Sequence, residues 1–285
     1  GDKDRTFGTG HYMVPGSFSV LFNGGLTRVP FEGAALGTIE DSYAAVINNP
    51  HGQGSFGLSN SVRGVYSGQN TANSASNAME FIVMATEAGG VDFGNLVAGR
   101  GGRPQSVSHA TRGVIAGGSD GSVMNQMDYI TIASAGDATD FGNLSVARQD
   151  FPSQAMSSTV RSVFSGGYIS ATSNVLDYIT VASAGNATDF GNLTAARNFG
   201  ACVNSTTRGI HIAGSQSGTN NTMDYITIGT TGNATDFGDT TAQSSARCAF
   251  HSSTTAYIVN MSEQITMATA ANATTTSSFT TPGDD

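Results

Sequence analysis

Lysine is almost missing from this chain: Lys3 is the only one among 285 residues. Tryptophan is absent, cysteine occurs twice, and charged residues make up only 12% of the sequence. Each shortage excludes something. With a formal net charge of −9 and almost no lysine, the chain has no basic stripe for a nucleic-acid backbone. The same acidity opposes attraction to an anionic membrane surface. Two cysteines, Cys202 and Cys248, are too few for a disulfide-stapled scaffold, and both are read as small buried apolar residues. No run approaches the ~18–20 apolar residues that span a bilayer. The opening stretch "GDKDRTFGTG" lacks the apolar core of a signal peptide, so export by that route is not expected. Sustained apolar spacing at three and four residues is also missing, which argues against long helices. Disorder is excluded from the other side, because it needs high charge and few apolar residues, and here 38% of residues are hydrophobic.

Glycine, by contrast, occurs 37 times, among many Ser, Thr, Ala and Asn. Small residues and turn formers in this proportion suit many short strands. The phrase "SAGDATDFGNL" at 134–144 returns as "SAGNATDFGNL" at 183–193 and "TTGNATDFGDT" at 230–240. Its Phe falls at Phe93, Phe141, Phe190 and Phe237, spaced 48, 49 and 47. An Arg opening a β-like run falls at Arg63, Arg112, Arg161 and Arg208, spaced 49, 49 and 47. A second series, Arg100, Arg148, Arg197 and Arg247, keeps the same period. Three markers on one period establish an internal repeat.

Within a unit, "RGVIAGG" reads as a short strand whose closing glycines mark a turn or a close backbone approach. "MDYITIAS" alternates and carries β-branched residues, so it is a strand with a buried face. "AGDA" and "AGNA" are turns, since Asn, Asp and Gly tolerate positive φ. "TDFGNL" opens a third strand, and the stretch from "VAR" to the next "SST" supplies a fourth. Four strands per 47–49 residues, with turns at fixed offsets, is the pattern of a propeller blade. The expected fold is therefore all-β, a single β-propeller of four-stranded blades, with six blades expected and five or seven the alternatives. Residues 1–16 form an arm outside the ring and 17–285 form the propeller. Within it, 17–61 is a divergent first unit, 62–255 holds the clear repeats and 256–279 is a degenerate last unit. Phe56 and Phe279 are read as the outlying counterparts of the repeated Phe. Ring closure is expected to pair the strand near 17–25 with the C-terminal unit, removing the exposed edge.

The glycine doublets Gly117–Gly118 and Gly166–Gly167, the aromatics Tyr129, Tyr178 and Tyr225, and the later Phe141 series together resemble kelch repeats. The doublet weakens to Ser67–Gly68 and Ala213–Gly214, Phe81 replaces the first Tyr, and the Tyr-to-aromatic gap of twelve is longer than in kelch. "DYITIASAGDATDFGNLSVAR" (128–148) and "DYITVASAGNATDFGNLTAAR" (177–197) also resemble repeats of structural proteins from tailed, especially marine, bacteriophages. That resemblance covers about 62–279. It implies a non-enzymatic virion component: a head decoration, fibre or tail-associated protein at the particle surface. Its implied partners are capsid or tail proteins, with further copies of the chain as an alternative.

On this reading the non-repeating arm would dock onto the particle, through Arg5, Phe7, His11, Tyr12 and Met13. A glycan-binding adhesion module is the second reading, with Phe151, Tyr168, Phe199 and Phe250 in the variable parts of their units available to stack on sugars. The Arg63 series shares one register. It serves either to hold the repeat together, by pairing with Asp92, Asp140, Asp189 and Asp236 or capping strand-edge carbonyls, or to form a ligand-binding ring. Arg suits such forked pairing better than Lys. The five histidines, His11, His51, His109, His211 and His251, lack metal-ligand spacing. No phosphate-binding glycine loop opens a helix. No metal, cofactor or catalytic residue is expected.

Overall fold

The computed structural model describes residues 17–22, 25–30, 56–59, 63–67, 75–83, 90–109, 111–152, 154–216, 218–243, 249–258 and 262–276. It is all-β, with no helix among these residues. A two-stranded pair, β1 (Ser17–Phe22) and β2 (Gly25–Pro30), precedes five antiparallel four-stranded sheets. Sheet 1 is β3 (Phe56–Ser59), β4 (Arg63–Ser67), β5 (Ser76–Val83) and β6 (Val91–Arg100). Sheet 2 is β7 (Gln105–His109), β8 (Arg112–Ala116), β9 (Gln126–Thr131) and β10 (Thr139–Asn143). Sheet 3 is β11 (Met156–Ser157), β12 (Arg161–Ser165), β13 (Val175–Thr180) and β14 (Thr188–Asn192). Sheet 4 is β15 (Ala201–Asn204), β16 (Arg208–Ser215), β17 (Thr219–Thr227) and β18 (Thr235–Asp239). Sheet 5 is β19 (Ala249–His251), β20 (Thr255–Ile258), β21 (Glu263–Thr266) and β22 (Thr274–Thr275). Each sheet is a simple meander; in sheets 1 to 4 the first strand lies just ahead of the repeated Arg, whose register Thr255 takes in sheet 5.

Three expectations at the ends of the chain need correction. Ser17–Phe22 pairs with Gly25–Pro30, and the last sheet draws all four strands from residues 249–275 instead of borrowing the N-terminal one. Phe56 opens the first strand of sheet 1, opposite Ser67, so it is not a counterpart of Phe141 on an outer strand. In sheet 5, Glu263 pairs with Thr275 as Asp224 pairs with Asp236, which puts Thr276 at the register of Phe237. Phe279 lies outside the described residues, as do the arm 1–16 and Cys248.

The apolar core is divided between the sheets. Phe93 and Leu96 of sheet 1 pack on Ile115, Ile130 and Ile132 of sheet 2. Phe141, Val114 and Met127 of sheet 2 pack on Phe164, Ile179 and Val181 of sheet 3. Phe190 and Val163 of sheet 3 meet Cys202, Ile226 and Ile228 of sheet 4, and Phe237 and Ile210 of sheet 4 meet Ile258, Ile265 and Met267 of sheet 5. Each interior sheet is thus covered on both faces. This explains why "VIA" and "VFS" run without polar alternation: Val114 faces sheet 3 while Ile115 faces sheet 1.

The repeated phrase is the hairpin between the last two strands of a sheet, and it docks on the previous copy of itself. The turn amides of Gly136, Gly185 and Gly232 donate to the carbonyls of Phe93, Phe141 and Phe190 at 2.6, 2.6 and 2.8 Å. The turn side chains follow: Asp137, Asn186, Asn233 and Asn272 accept from the amides of Asn95, Asn143, Asn192 and Asp239. Such close approach requires glycine in "DFG". A Cβ on Gly142, whose φ is +135°, would lie 2.5 Å from backbone atoms of Gly185.

Gly142→Ala is therefore expected to destabilise the protein by about 2–5 kcal/mol, from backbone strain together with overpacking. Gly229→Ala, where nothing lies within 4 Å, should change stability by less than about 1 kcal/mol. Urea unfolding of the two variants beside the parent checks both.

Candidate functional site

Twelve per cent charge leaves few ions to bury, yet Arg100, Arg148 and Arg197 are fully buried. Arg100 ends the last strand of its sheet, Arg148 and Arg197 follow theirs by five residues, and each inserts its side chain into the next sheet. Arg100 meets Asp128 at 2.8 Å and Arg148 meets Asp177 at 2.6 Å, and Arg197 pairs with Asp224 in the same way. Arg148 also donates to the carbonyls of Gly166 and Val175 at 2.6 and 2.7 Å, and Arg100 to those of Gly117 and Gln126. The second carboxylate oxygen is used as well, since Ser145 donates to Asp177 and Thr194 to Asp224. Burial pulls Arg148 and Arg197 down and pushes Asp128 up, and the partner charge opposes each shift. Sequence reasoning used these arginines only as markers and missed the acids of "DYIT". The available signal was an Arg and an Asp sharing one period in a charge-poor chain.

The other arginine series lies near the surface. Arg112, Arg161 and Arg208 donate to the carbonyls of Val181, Ile228 and Met267 on the following sheet, at 3.0, 3.2 and 2.9 Å. Arg63 does the same to Ala133 at 2.9 Å. Each guanidinium also covers an aromatic ring, with Arg112 over Tyr129 at 4.3 Å and Arg161 over Tyr178 at 4.1 Å. Those rings meet the repeated Phe edge-on, the Tyr129–Phe141 and Tyr178–Phe190 centroids lying 6.0 Å apart. Carbonyl capping, one of the roles considered for this series, is made by Arg63, Arg112, Arg161 and Arg208 alike. In sheet 1 the acid of the buried register is Glu80, which accepts from Tyr66; burial, then this bond, pushes the phenol up to about 12.

The first strands of successive sheets converge. Ser106–Ser108, Gln154, Ala155, Ser157, Asn204 and His251 line one narrow cavity, contributed by four sheets. Gln105 donates to the Gln154 carbonyl at 2.5 Å, Gln154 to that of Cys202 at 2.6 Å, and Asn204 to that of Ser157 at 2.7 Å. Directly ahead of these strands run the linkers between sheets, and there the repeat breaks down. Arg103, Asp150 and Phe199 occupy neighbouring linkers, each with positive φ, at 49°, 53° and 59°. The Asp150 amide donates to the Gly102 carbonyl at 2.7 Å, and the Phe199 amide to that of Asp150 at 2.8 Å. The Arg103 guanidinium reaches past the middle linker and lies 4.5 Å from the Phe199 ring centroid.

Of the aromatics read as sugar platforms, Phe151 must be withdrawn. It is 3% exposed, in the core between sheets 2 and 3, with Arg148 over its ring. Phe250 stacks on Tyr257 at 5.3 Å. Tyr168 is half-buried and bridges to Gln149 in the linker that carries Asp150, while Phe199 belongs to the cluster just described. Arg5, Phe7, His11, Tyr12 and Met13 lie outside the described residues. Among the described residues no group of three or more His, Cys, Asp or Glu is placed to hold a metal ion. Cys202 is a buried free thiol, pushed up to about 12 by burial. No family model matches the chain, and no curated protein matches it.

Two outcomes follow for the joint between sheets. Arg148→Ala or Asp177→Ala alone should cost about 3–5 kcal/mol, because the remaining charge is stranded, whereas Arg148→Met with Asp177→Leu should cost much less; a double-mutant cycle in urea measures this. The second concerns His211, which stands opposite Asp224 where Ile115 and Phe164 face the corresponding acids. Burial, then Arg197, holds its imidazole well below the usual range, so the unfolded chain takes up a proton that the folded one refuses. Stability is therefore lost as pH falls below about 6.5. His211→Phe should gain on the parent by up to about 1.4 kcal/mol per pH unit below that point, seen as a widening gap in urea midpoints from pH 7.5 to 5.5.

Proposed function

We propose that the five sheets are blades of a β-propeller, and that the protein is a non-enzymatic structural component displayed on a bacteriophage particle. The observation that carries the architecture is the cavity lined by the first strands of four successive sheets. Sheets stacked face to face, each contributing its first strand to one centre, are blades around an axis. In this reading the β1–β2 pair founds a sixth blade and residues 1–16 form the docking arm. The assignment to a virion rests on the likeness of 128–148 and 177–197 to phage repeats. A rigid array held by buried ion pairs and self-docking turns suits display.

A second reading, recognition of host-surface glycan, is favoured by the linker cluster of Arg103, Asp150 and Phe199, where the repeat gives up its symmetry.

Solution scattering and particle fractionation test the first reading. A closed ring of 285 residues should have a radius of gyration of roughly 19 Å, and a clearly larger, elongated value would overturn it. The chain should also co-sediment with intact phage particles at fixed stoichiometry, high for a head decoration and low for a tail part. A particle-free soluble protein would sink the virion assignment.

A further inference from the structure

We infer that the seam between sheets 3 and 4 is an acid-sensitive joint: with His211 protonated, these two sheets part while the neighbouring seam stays closed. The joint is independent of the virion and glycan readings, and requires only that sheets 3 and 4 pack as described.

Geometry confines the device to one seam. Cys202, His211 and Asp224 stand abreast on β15, β16 and β17. His211 is fully buried, and its Nδ1 lies 3.0 Å from the Ser165 hydroxyl of sheet 3. That hydroxyl lies 3.3 Å from the Cys202 thiol. Packing is close here, since a Cβ on Gly166, the residue after β12, would come within 3.4 Å of the imidazole. The same register holds Tyr66, Ile115, Phe164 and Ile258 in sheets 1, 2, 3 and 5. Only sheet 4 places a histidine there.

The surrounding groups leave an imidazolium no carboxylate of its own. Arg197 faces it, and Asp224, the acid opposite, already accepts from Arg197 and Thr194. Asp236 lies beyond Asp224 on the exposed outer strand. Burial keeps Cys202 a neutral thiol, pushed up to about 12, and Ser165 brings only a hydroxyl. Burial, then Arg197, hold the imidazole neutral, and the Ala213 backbone opposes them more weakly. A proton taken up in place would set two cations side by side away from water, so uptake requires the sheets to part. Repeat units are held one interface at a time, so the cost falls on this interface. One proton per opening raises the open fraction by up to about tenfold per pH unit once pH falls below about 6.5.

Cys202, buried and free, reports the opening. The full chain is treated with a dipyridyl disulfide between pH 8 and pH 5.5, and initial labelling of the Cys202 peptide is read by mass spectrometry. Each rate is divided by that of a free peptide of the same sequence at the same pH, which removes the thiol's own titration. Where reclosing outpaces labelling, the ratio is the open fraction. It should stay level down to about pH 6.5 and rise by up to about tenfold at pH 5.5. His211→Phe, which installs the residue of sheet 3, should level the profile. Should that variant fail to fold, His211→Ile, the residue of sheet 2, replaces it. Ala155→Cys adds a second thiol one seam back, because Ala155 precedes the Met156–Val163 pair and so holds the register of Cys202. Its ratio should not rise with acid, and Ser106→Cys serves if Ala155→Cys does not fold. A level profile at Cys202, or a rise that survives loss of the imidazole, overturns the joint. An equal rise at the added thiol overturns it too, since the molecule would then be opening as a whole.

Discussion

A guanidinium buried where water cannot reach it must find a carboxylate, and here that carboxylate always belongs to the next sheet. An unpaired buried charge is strongly destabilising, so Arg100, Arg148 and Arg197 tie sheets 1, 2 and 3 each to its successor. The remaining contacts fall into line behind that pairing. The linker backbone passes close over the glycine doublet, with Gly118 and Gly167 donating to the carbonyls of Arg148 and Arg197 at 2.9 and 2.8 Å. The apolar residues of one sheet then meet those of the next, and the hairpin turn lands on the preceding "DFG". No sheet carries a core of its own, which is the ordinary predicament of a repeat unit.

Much of this was legible beforehand, for a physical reason. A 47–49-residue period imposes one environment on each position, so four copies of a residue report the same constraint four times. The strands, the hairpin, the need for glycine at the doublet and the packing of the repeated Phe all came from that redundancy, whereas the need for glycine at Gly142 shows only in the close approach of the next turn. The buried ion pair did not. Asp128 and its counterparts lie in a strand that alternates correctly with or without a charge, and nothing local tells a buried Asp from an exposed one. The chain ends misled for the opposite reason: Phe56 and Phe279 share a residue type with the repeat, whereas strand pairing assigns positions by register.

The linker cluster was hidden by the same method that exposed the fold. Searching for sameness passes over positions where the copies differ, and Arg103, Asp150 and Phe199 are such positions. Their common geometry, positive φ on three successive linkers, exists only in three dimensions. The position two residues after each buried Arg is left-handed in all three linkers and carries Gly102, Asp150 and Phe199 in turn, so one backbone conformation there holds three different side chains.

The final sheet carries a consequence for how such a chain can change. With Thr274–Thr275 as its outer strand and Thr276 at the Phe register, it offers the next turn no Phe–Gly seat. A unit inserted between Arg112 and Arg208 would find a matching seat on each side. A whole unit gained or lost between Arg112 and Arg208 would leave every remaining turn facing a Phe–Gly pair, whereas the outer strand of sheet 5 carries none among the described residues.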